Sequence, residues 1–436
     1  MSGKNCFDVL QKIFKPKNIQ NIDDIKGYTI KYGNIVDGEN IIDEVLVSYF
    51  KAPKSYTTEN MCEINSHGGN IVLKKILELC LKNGAELAEP GEFTRRAFLN
   101  GRIDLLQAES VIDIINAKSD KELKTGVKQL EGFLSNEIAK IKQEILDVMV
   151  NIEVAIDYPE YDVDEVTNKQ ISDMLDSVEK KLKKLENSFD NGKIIKEGIK
   201  TAIVGKPNAG KSSLLNAILK EDRAIVTEIE GTTRDTIEEF VTINGIPLKL
   251  VDTAGIRKAK DEVEKIGISK SREIAKEADL IIAIFDSSKD LTDEDMEILN
   301  LIKGKKVIIL LNKIDLNSKI DENDSRLLAV SQDIIKVSAL NNLGIDKLYE
   351  KITNLFNLDQ INLDNEVLIT NLRQKNLITK AIEHIQETKN TMSNNMPLDI
   401  VAISIKEILE DLGSITGDEV SEDIIDEIFS KFCLGK

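Results

Sequence analysis

The chain of 436 residues has no tryptophan, only two histidines, four cysteines and seven prolines. His67 and His384 are too few for a histidine metal centre. Cys6, Cys62, Cys80 and Cys433 share no Cys-x-x-Cys spacing, which argues against a zinc site or a disulfide framework. There is no run of about 18 apolar residues and no signal-like apolar N-terminus. A soluble, cytoplasmic protein with no membrane association is therefore expected. Positive charge is also in deficit: 58 Lys and Arg stand against 76 Asp and Glu, a net charge of −18. That balance is unusual for a protein that grips nucleic acid unaided. Local basic stretches, such as Lys180-Lys181 with Lys183-Lys184, read as solvated helix faces. A nucleic-acid substrate would need a partner protein or a small local patch.

What is present is a set of five segments in one order: Gly205-Lys206-Pro207-Asn208-Ala209-Gly210-Lys211-Ser212, Gly231-Thr232-Thr233-Arg234-Asp235, Asp252-Thr253-Ala254-Gly255, Asn312-Lys313-Ile314-Asp315 and Ser338-Ala339-Leu340. The first follows the apolar, β-branched run Thr201–Val204 and precedes residues at helical spacing from Ser213. Its glycines thus lie between a strand end and a helix start, where backbone N–H groups can cradle a polyphosphate. Lys211 would reach the β- and γ-phosphates and Ser212 would hold magnesium. Asp252 ends another apolar strand on the metal side, and Thr233 is the natural switch residue over the metal. Asn312 and Asp315 follow the run Val307–Leu311 and select guanine: Asp315 can accept from two donors that adenine does not offer together. The bound ligands expected are GTP and Mg2+, with Ala209, Gly210, Ser213, Gly255, Lys313, Ser338 and Ala339 completing the nucleotide site. An isolated phosphate-loop pattern is weak, but five segments in register are not.

The hydrolytic group is less plain. Signalling GTPases place a water-orienting Gln directly after Asp-x-x-Gly; here Ile256 stands there, with no hydrogen-bonding capacity. Arg257, Asp261, Glu262 and Glu264 are the nearby alternatives, each read on sequence alone as a solvated switch charge.

Residues 198–359 alternate strand and helix as one doubly wound domain. On its N-terminal side the pattern is helical, with apolar residues at Leu123, Val127, Leu130, Leu134, Ile138, Ile141, Ile145 and Val148. Pro159 and the acidic stretch to Glu165 break this, and a second helix resumes at Ile171, Leu175, Val178, Leu182 and Leu185. The C-terminal flank is again helical, so one bundle built from both flanks with the GTPase inserted is expected. The first hundred residues read as a separate α/β domain, with strands at Gly27–Gly33, Glu44–Phe50 and Met61–Asn65 and a helix over Asn70–Lys82.

With His67-Gly68-Gly69, Pro90 to Asn100, Asp104 to Glu109 and the terminal Phe432-Cys433-Leu434-Gly435-Lys436 added to the five segments, the chain resembles the MnmE (TrmE) family of tRNA-modification GTPases over essentially its whole length. The resemblance implies an α/β plus α architecture: an N-terminal folate-binding-like and dimerising domain (1–100), a discontinuous helical domain (101–197 and 360–436) and an inserted P-loop GTPase domain (198–359). It implies that a homodimer works with the FAD enzyme MnmG, as a heterotetramer, to add aminomethyl or carboxymethylaminomethyl groups at C5 of the tRNA wobble uridine. The one-carbon unit comes from a tetrahydrofolate derivative, the 5-formyl or 5,10-methylene form, whose contacts would fall on Glu63, Arg102 and Lys436. It implies that K+ replaces an arginine finger, held by Asn208, Thr227, Ile229 and Thr232, and that Glu264 orients the water. Cys433 has two readings, a small terminal residue or a thiol activated by Lys436 near the folate. The family usually begins with an extra segment ending in Arg-Ile-Ser-Gly, whereas this chain opens at Met1-Ser2-Gly3, so a shortened N-terminus is expected. Two other readings stay open here. One is a GTP-gated assembly factor acting on ribosomal RNA; the other is a binding module of negligible turnover, which Ile256 would permit.

Overall fold

The computed structural model describes residues 1–17, 26–157, 164–220, 239–251, 277–358, 367–394, 396–432 and 435. The chain divides into two compact units: Met1–Ile115 with Val127–Lys181 and Leu377–Lys436, and Asn116–Gly126 with Leu182–Asn376.

The first unit opens with α1 (Cys6–Ile13) and a four-stranded antiparallel sheet, β1 (Phe14–Pro16), β2 (Thr29–Asp37), β3 (Asn40–Phe50) and β4 (Met61–Asn65), hydrogen-bonded in that order. Alternation along β3 sends Val45, Val47 and Tyr49 inward, where they meet Leu10 and Ile13 of α1 and Leu79 of α2 (Asn70–Lys82). The opposite face keeps Ile30, Tyr32 and Leu46 exposed, with Tyr32 paired opposite Leu46. Three thiols, Cys6, Cys62 and Cys80, are free and buried in this core. Helix α1 and strand β1 lie outside the elements expected from sequence.

Helices α3 (Glu92–Leu99) and α4 (Leu105–Asn116) follow, then α5 (Asp120–Leu130), which starts in the second unit and ends in the first, α6 (Phe133–Asp157), and α7 (Asp164–Asn187), which runs from the first unit into the second. Leu134, Ile138, Ile141, Ile145, Val148 and Ile152 form the buried stripe of α6. The expected stripe fails one helix earlier. In α5, Leu123 and Val127 are exposed, while Glu122, Thr125 and Gln129 are buried. The break at Glu131-Gly132, with Gly132 in the left-handed region, separates α5 from α6 and lets the two helices bury different faces. Glu122 is held by the Lys118 N–H at 2.6 Å, and the Thr125 hydroxyl donates to the Lys121 carbonyl at 2.9 Å.

From the C-terminal flank, α14 (Leu398–Thr416) packs along α6, with Val401, Ile405, Ile408, Leu412 and Ile415 buried and Lys142 paired to Asp418 at 2.8 Å. The last helix, α15 (Glu422–Ser430), lies against α3: Arg95 bonds Asp426 at 2.7 Å, and the Phe98, Phe429 and Phe432 rings stack at 6.3 and 5.2 Å. Gly91 at φ +70° makes this approach possible, since a Cβ there would stand 2.8 Å from the Phe429 carbonyl.

The second unit holds α8 (Phe189–Glu197), β5 (Ile199–Val204), α9 (Lys211–Lys220), β6 (Glu239–Ile243), β7 (Ile246–Val251), β8 (Leu280–Asp286), α10 (Asp293–Ile302), β9 (Val307–Asn312), α11 (Ser325–Leu328), β10 (Ile334–Lys336) and α12 (Ile345–Leu355); α13 (Leu372–Ser393) begins in it and ends in the first unit. The sheet order is β10-β9-β8-β5-β7-β6, parallel except for β6. Strands β8 and β9 are buried on both faces, which is why they read as unbroken apolar runs. Ile282, Ile284, Ile308 and Leu310 pack with α9 and α12, while Ile281, Ala283, Phe285, Ile309 and Leu311 pack with Leu299 and Ile302 of α10. A doubly wound sheet of this kind gathers the loops at its carboxyl ends, where ligands bind.

Candidate nucleotide site

Strand β5 ends at Val204, and the loop Gly205–Gly210 leads into the N-terminus of α9. Two residues of that loop are left-handed, Asn208 at φ +63° and Gly210 at φ +109°. Asn tolerates this conformation; at position 210 only glycine fits, because a Cβ would stand 2.0 Å from Asn312 Nδ2. The Lys211 ammonium folds back within the loop and donates to the carbonyls of Gly205 at 2.5 Å and Lys206 at 3.2 Å. Burial disfavours its charged form and lowers its pKa. Ser212 and Ser213 stand exposed in the first turn of α9, beside the helix end that favours anions.

The β9 end supplies the fastening. Asn312 is 2% exposed, its Nδ2 donates to the Ala209 carbonyl at 2.8 Å, and its Oδ1 accepts from the Ala339 N–H at 3.0 Å. It therefore ties the phosphate loop to the loop after β10. The sequence reading gave Asn312 a hold on the purine; in the structure its amide is engaged by two backbone groups. Asp315 is exposed, and one of its oxygens accepts from the fully buried Ser338 hydroxyl at 2.5 Å. That bond turns the carboxylate and leaves Oδ2 for a ligand with adjacent donors. Lys313, left-handed at φ +66°, lays its ammonium 2.7 Å from Asp286 Oδ2. Burial pushes the Asp286 carboxyl up, but the bonds from Lys313 and Ser288 outweigh it and hold its pKa below the usual range.

The site thus joins Asn208, Ala209, Gly210, Lys211, Ser212 and Ser213 with Asn312, Lys313, Asp315, Ser338 and Ala339 at the carboxyl edge of one sheet. Comparison with known proteins decides what it belongs to. The profile described as the MnmE helical domain matches residues 105–433, and that of the GTP-binding protein TrmE N-terminus matches residues 1–102. The chain belongs to the MnmE (TrmE) family. It is 49% identical over 436 residues to the tRNA modification GTPase MnmE of Clostridioides difficile (strain 630), covering 100% of this chain and 95% of that one. It is 48% identical over 438 residues to the protein of the same name from Acetivibrio thermocellus, with the same coverage. Among solved structures, the G domain of the T. maritima FeoB iron transporter matches at 26% identity and a TM-score of 0.27, over 36% of this chain and 97% of that one.

Of the other residues expected for an MnmE-family site, Thr227, Ile229, Thr232, Thr233, Asp252, Gly255, Glu264 and Lys436 lie outside the described residues, as do Ile256 and Cys433. Glu63 and Arg102 belong to the first unit. Glu63 is exposed on β4, paired opposite Ser48. Arg102 lies over the Tyr56 ring at 4.6 Å and donates to the Tyr56 carbonyl at 2.8 Å. Sequence reasoning missed Asp286, the partner of Lys313. Its signal was an acid closing the apolar run of β8 at a carboxyl end, the same pattern that singled out Asp252. It also missed Asp295 and Thr292, which engage the phosphate loop through Lys206.

Proposed function

We propose that this MnmE-family chain is a GTPase acting in tRNA modification. The observation that carries the reading is the fastening of Asn312 to both Ala209 and Ala339, with Asp315 aligned by Ser338. This supports reading the loop as the one for phosphate and Asp315 as the carboxylate for guanine, at one sheet edge. Mg2+ suits the Ser212 hydroxyl at the first turn of α9, Thr233 and Asp252 being the further ligands expected from the sequence, and the ion would offset phosphate charge. Lys211 would exchange its loop carbonyls for the β- and γ-phosphates.

The finer reading follows the family resemblance. K+ is the activating ion, with Asn208 its one described ligand and Thr227, Ile229 and Thr232 the others; Glu264 orients the water. The residue range 198–359 forms the GTPase domain, 101–197 with 360–436 the helical domain, and 1–100 the folate-binding-like domain. Two such chains pair through the N-terminal domain, and the exposed Ile30, Tyr32 and Leu46 on one sheet face, at 63%, 47% and 47% exposure, support an apolar contact there. In the folate reading, the exposed Glu63 carboxylate suits an amino-bearing ring and the stacked Arg102 guanidinium suits a carboxylate tail, and Lys436 is the third contact that the family resemblance implies. The dimer acts in the cytoplasm with the flavoprotein MnmG on C5 of the wobble uridine. Hydrolysis assayed in KCl against NaCl tests the ion: stimulation by K+ that is lost in Glu264→Ala supports the reading, and equal rates in both salts contradict it. Calorimetric titration with 5-formyltetrahydrofolate tests the one-carbon site, where saturable binding weakened in Arg102→Ala is expected.

A further inference from the structure

The second residue of the phosphate loop is moored to an element outside the nucleotide site. Lys206 Nζ lies 2.5 Å from Asp295 Oδ2 and donates to the Thr292 hydroxyl at 2.7 Å. Asp295 is 4% exposed, and its Oδ2 also accepts from the Thr292 N–H and hydroxyl, both at 2.9 Å. Thr292 is the residue capping α10, in extended conformation at φ −104° and ψ 173°, so the ammonium enters a capping network that the helix has already built. Asp295 is too well buried for an ordinary surface ion pair, in which both partners remain solvated when separated.

The backbone of the same residue faces the other way. The Lys206 carbonyl accepts from Lys211 Nζ at 3.2 Å, next to the Gly205 carbonyl. Pro207 follows and fixes its own φ, and then comes the left-handed Asn208. A displacement of the Lys206 side chain is therefore passed to the turn that holds the Lys211 ammonium. We infer that Lys206 is a positioning residue: its ion pair with Asp295 moors the phosphate loop to the start of α10 and sets where Lys211 meets the phosphates. The inference rests on reading Gly205–Ser212 as the phosphate loop. Asp295 acts through Lys206 and touches no nucleotide.

The test compares dissociation of a fluorescent GDP analogue and steady-state GTP hydrolysis across four variants of the full chain. Lys206→Met keeps the aliphatic stem and removes the charge; Asp295→Asn keeps an oxygen for the Thr292 cap and removes the partner. Each is expected to speed GDP dissociation about tenfold and to lower kcat with it, the cost of an unmoored loop rather than of a lost ligand contact. Lys206→Arg is expected to restore wild-type rates. The double variant Lys206→Met/Asp295→Asn is expected to be no worse than either single one, because both remove the same pair. Asp295→Asn carries the test alone if Lys206→Met does not fold. Dissociation and kcat within twofold of wild type, with only the melting temperature lowered, would overturn the inference. Lys211→Ala run in parallel separates the two levels. If it abolishes nucleotide binding while Lys206→Met is neutral, the mooring fails and the phosphate loop stands; if Lys211→Ala binds normally, the loop reading itself fails.

Discussion

Replacing Asn312 by Ala should damage the nucleotide site more than any other single truncation at the base-reading end. The side chain makes two hydrogen bonds in a 2% exposed setting, one given to the Ala209 carbonyl and one accepted from the Ala339 N–H. A buried hydrogen bond contributes about 1 kcal/mol net, and a buried group left without its partner costs about 1–3 kcal/mol. Ala209 is buried and its carbonyl loses its donor; the Ala339 N–H, also buried, loses its acceptor. Water entering the vacated volume would recover part of the loss, so we expect about 2–4 kcal/mol. The loss falls on the arrangement of the two loops, and only an arrangement close to this one binds nucleotide. Converted at about 1.4 kcal/mol per factor of ten, it weakens GDP binding by roughly 30- to 700-fold. The assay is equilibrium titration with a fluorescent GDP analogue, with hydrogen exchange of residues 205–212 as an independent readout. Exchange in that loop should accelerate in the variant even without nucleotide. An Asn312→Ala protein that binds GDP within threefold of wild type, with loop exchange unchanged, would refute the reasoning.

Asp315→Asn should shift preference from GTP to xanthosine triphosphate by at least tenfold in competitive binding, since the carboxylate oriented by Ser338 would become an amide facing guanine's donors. Gly210→Ala should abolish nucleotide binding, because its Cβ would strike Asn312 Nδ2 at 2.0 Å in a left-handed backbone; a variant titrating normally with GDP would contradict the crowding. Asp286 has its pKa lowered from 3.8, so its pairing with Lys313 stabilises the fold above that pH and the benefit is lost as pH falls through the lower folded value. Thermal melts between pH 2 and pH 5 should show a shallower acid limb in Asp286→Asn than in wild type. Phe429→Ala opens the ring cluster between α3 and α15 and should cost about 3–5 kcal/mol, visible as a lowered melting temperature of the first unit.

Much of the second unit was legible because β8 and β9 are buried on both faces and their sequences have no polar interruption. The glycine pattern of the phosphate loop was legible for a related reason: φ +109° and a 2.0 Å approach leave no other residue type at Gly210. The fastening by Asn312 was not legible. Its partner Ala209 lies 103 residues away in sequence, and a contact between a side chain and a distant backbone carbonyl leaves no periodicity. The mooring of Lys206 escaped notice for the same reason, since Asp295 reads as one acid among several at the start of α10. In α5 the apolar period was real but the inference about its inner face was inverted. Leu123 and Val127 are exposed while Glu122 and Thr125 are buried with hydrogen bonds to Lys118 and Lys121, an arrangement that period alone does not reveal. Helix α1 is short, and its buried set of Cys6, Val9, Leu10 and Ile13 spans too few turns to stand out.

On the function proposed here, the carboxyl edge of the β10-β9-β8-β5 sheet binds guanine nucleotide. Calorimetric titration of the full chain with GDP and ADP, each with Mg2+, tests it without an optical probe, which suits a chain that has no tryptophan. One saturable site for GDP and at least a hundredfold weaker binding of ADP are expected. Equal affinity for the two, or no heat with either, would contradict it.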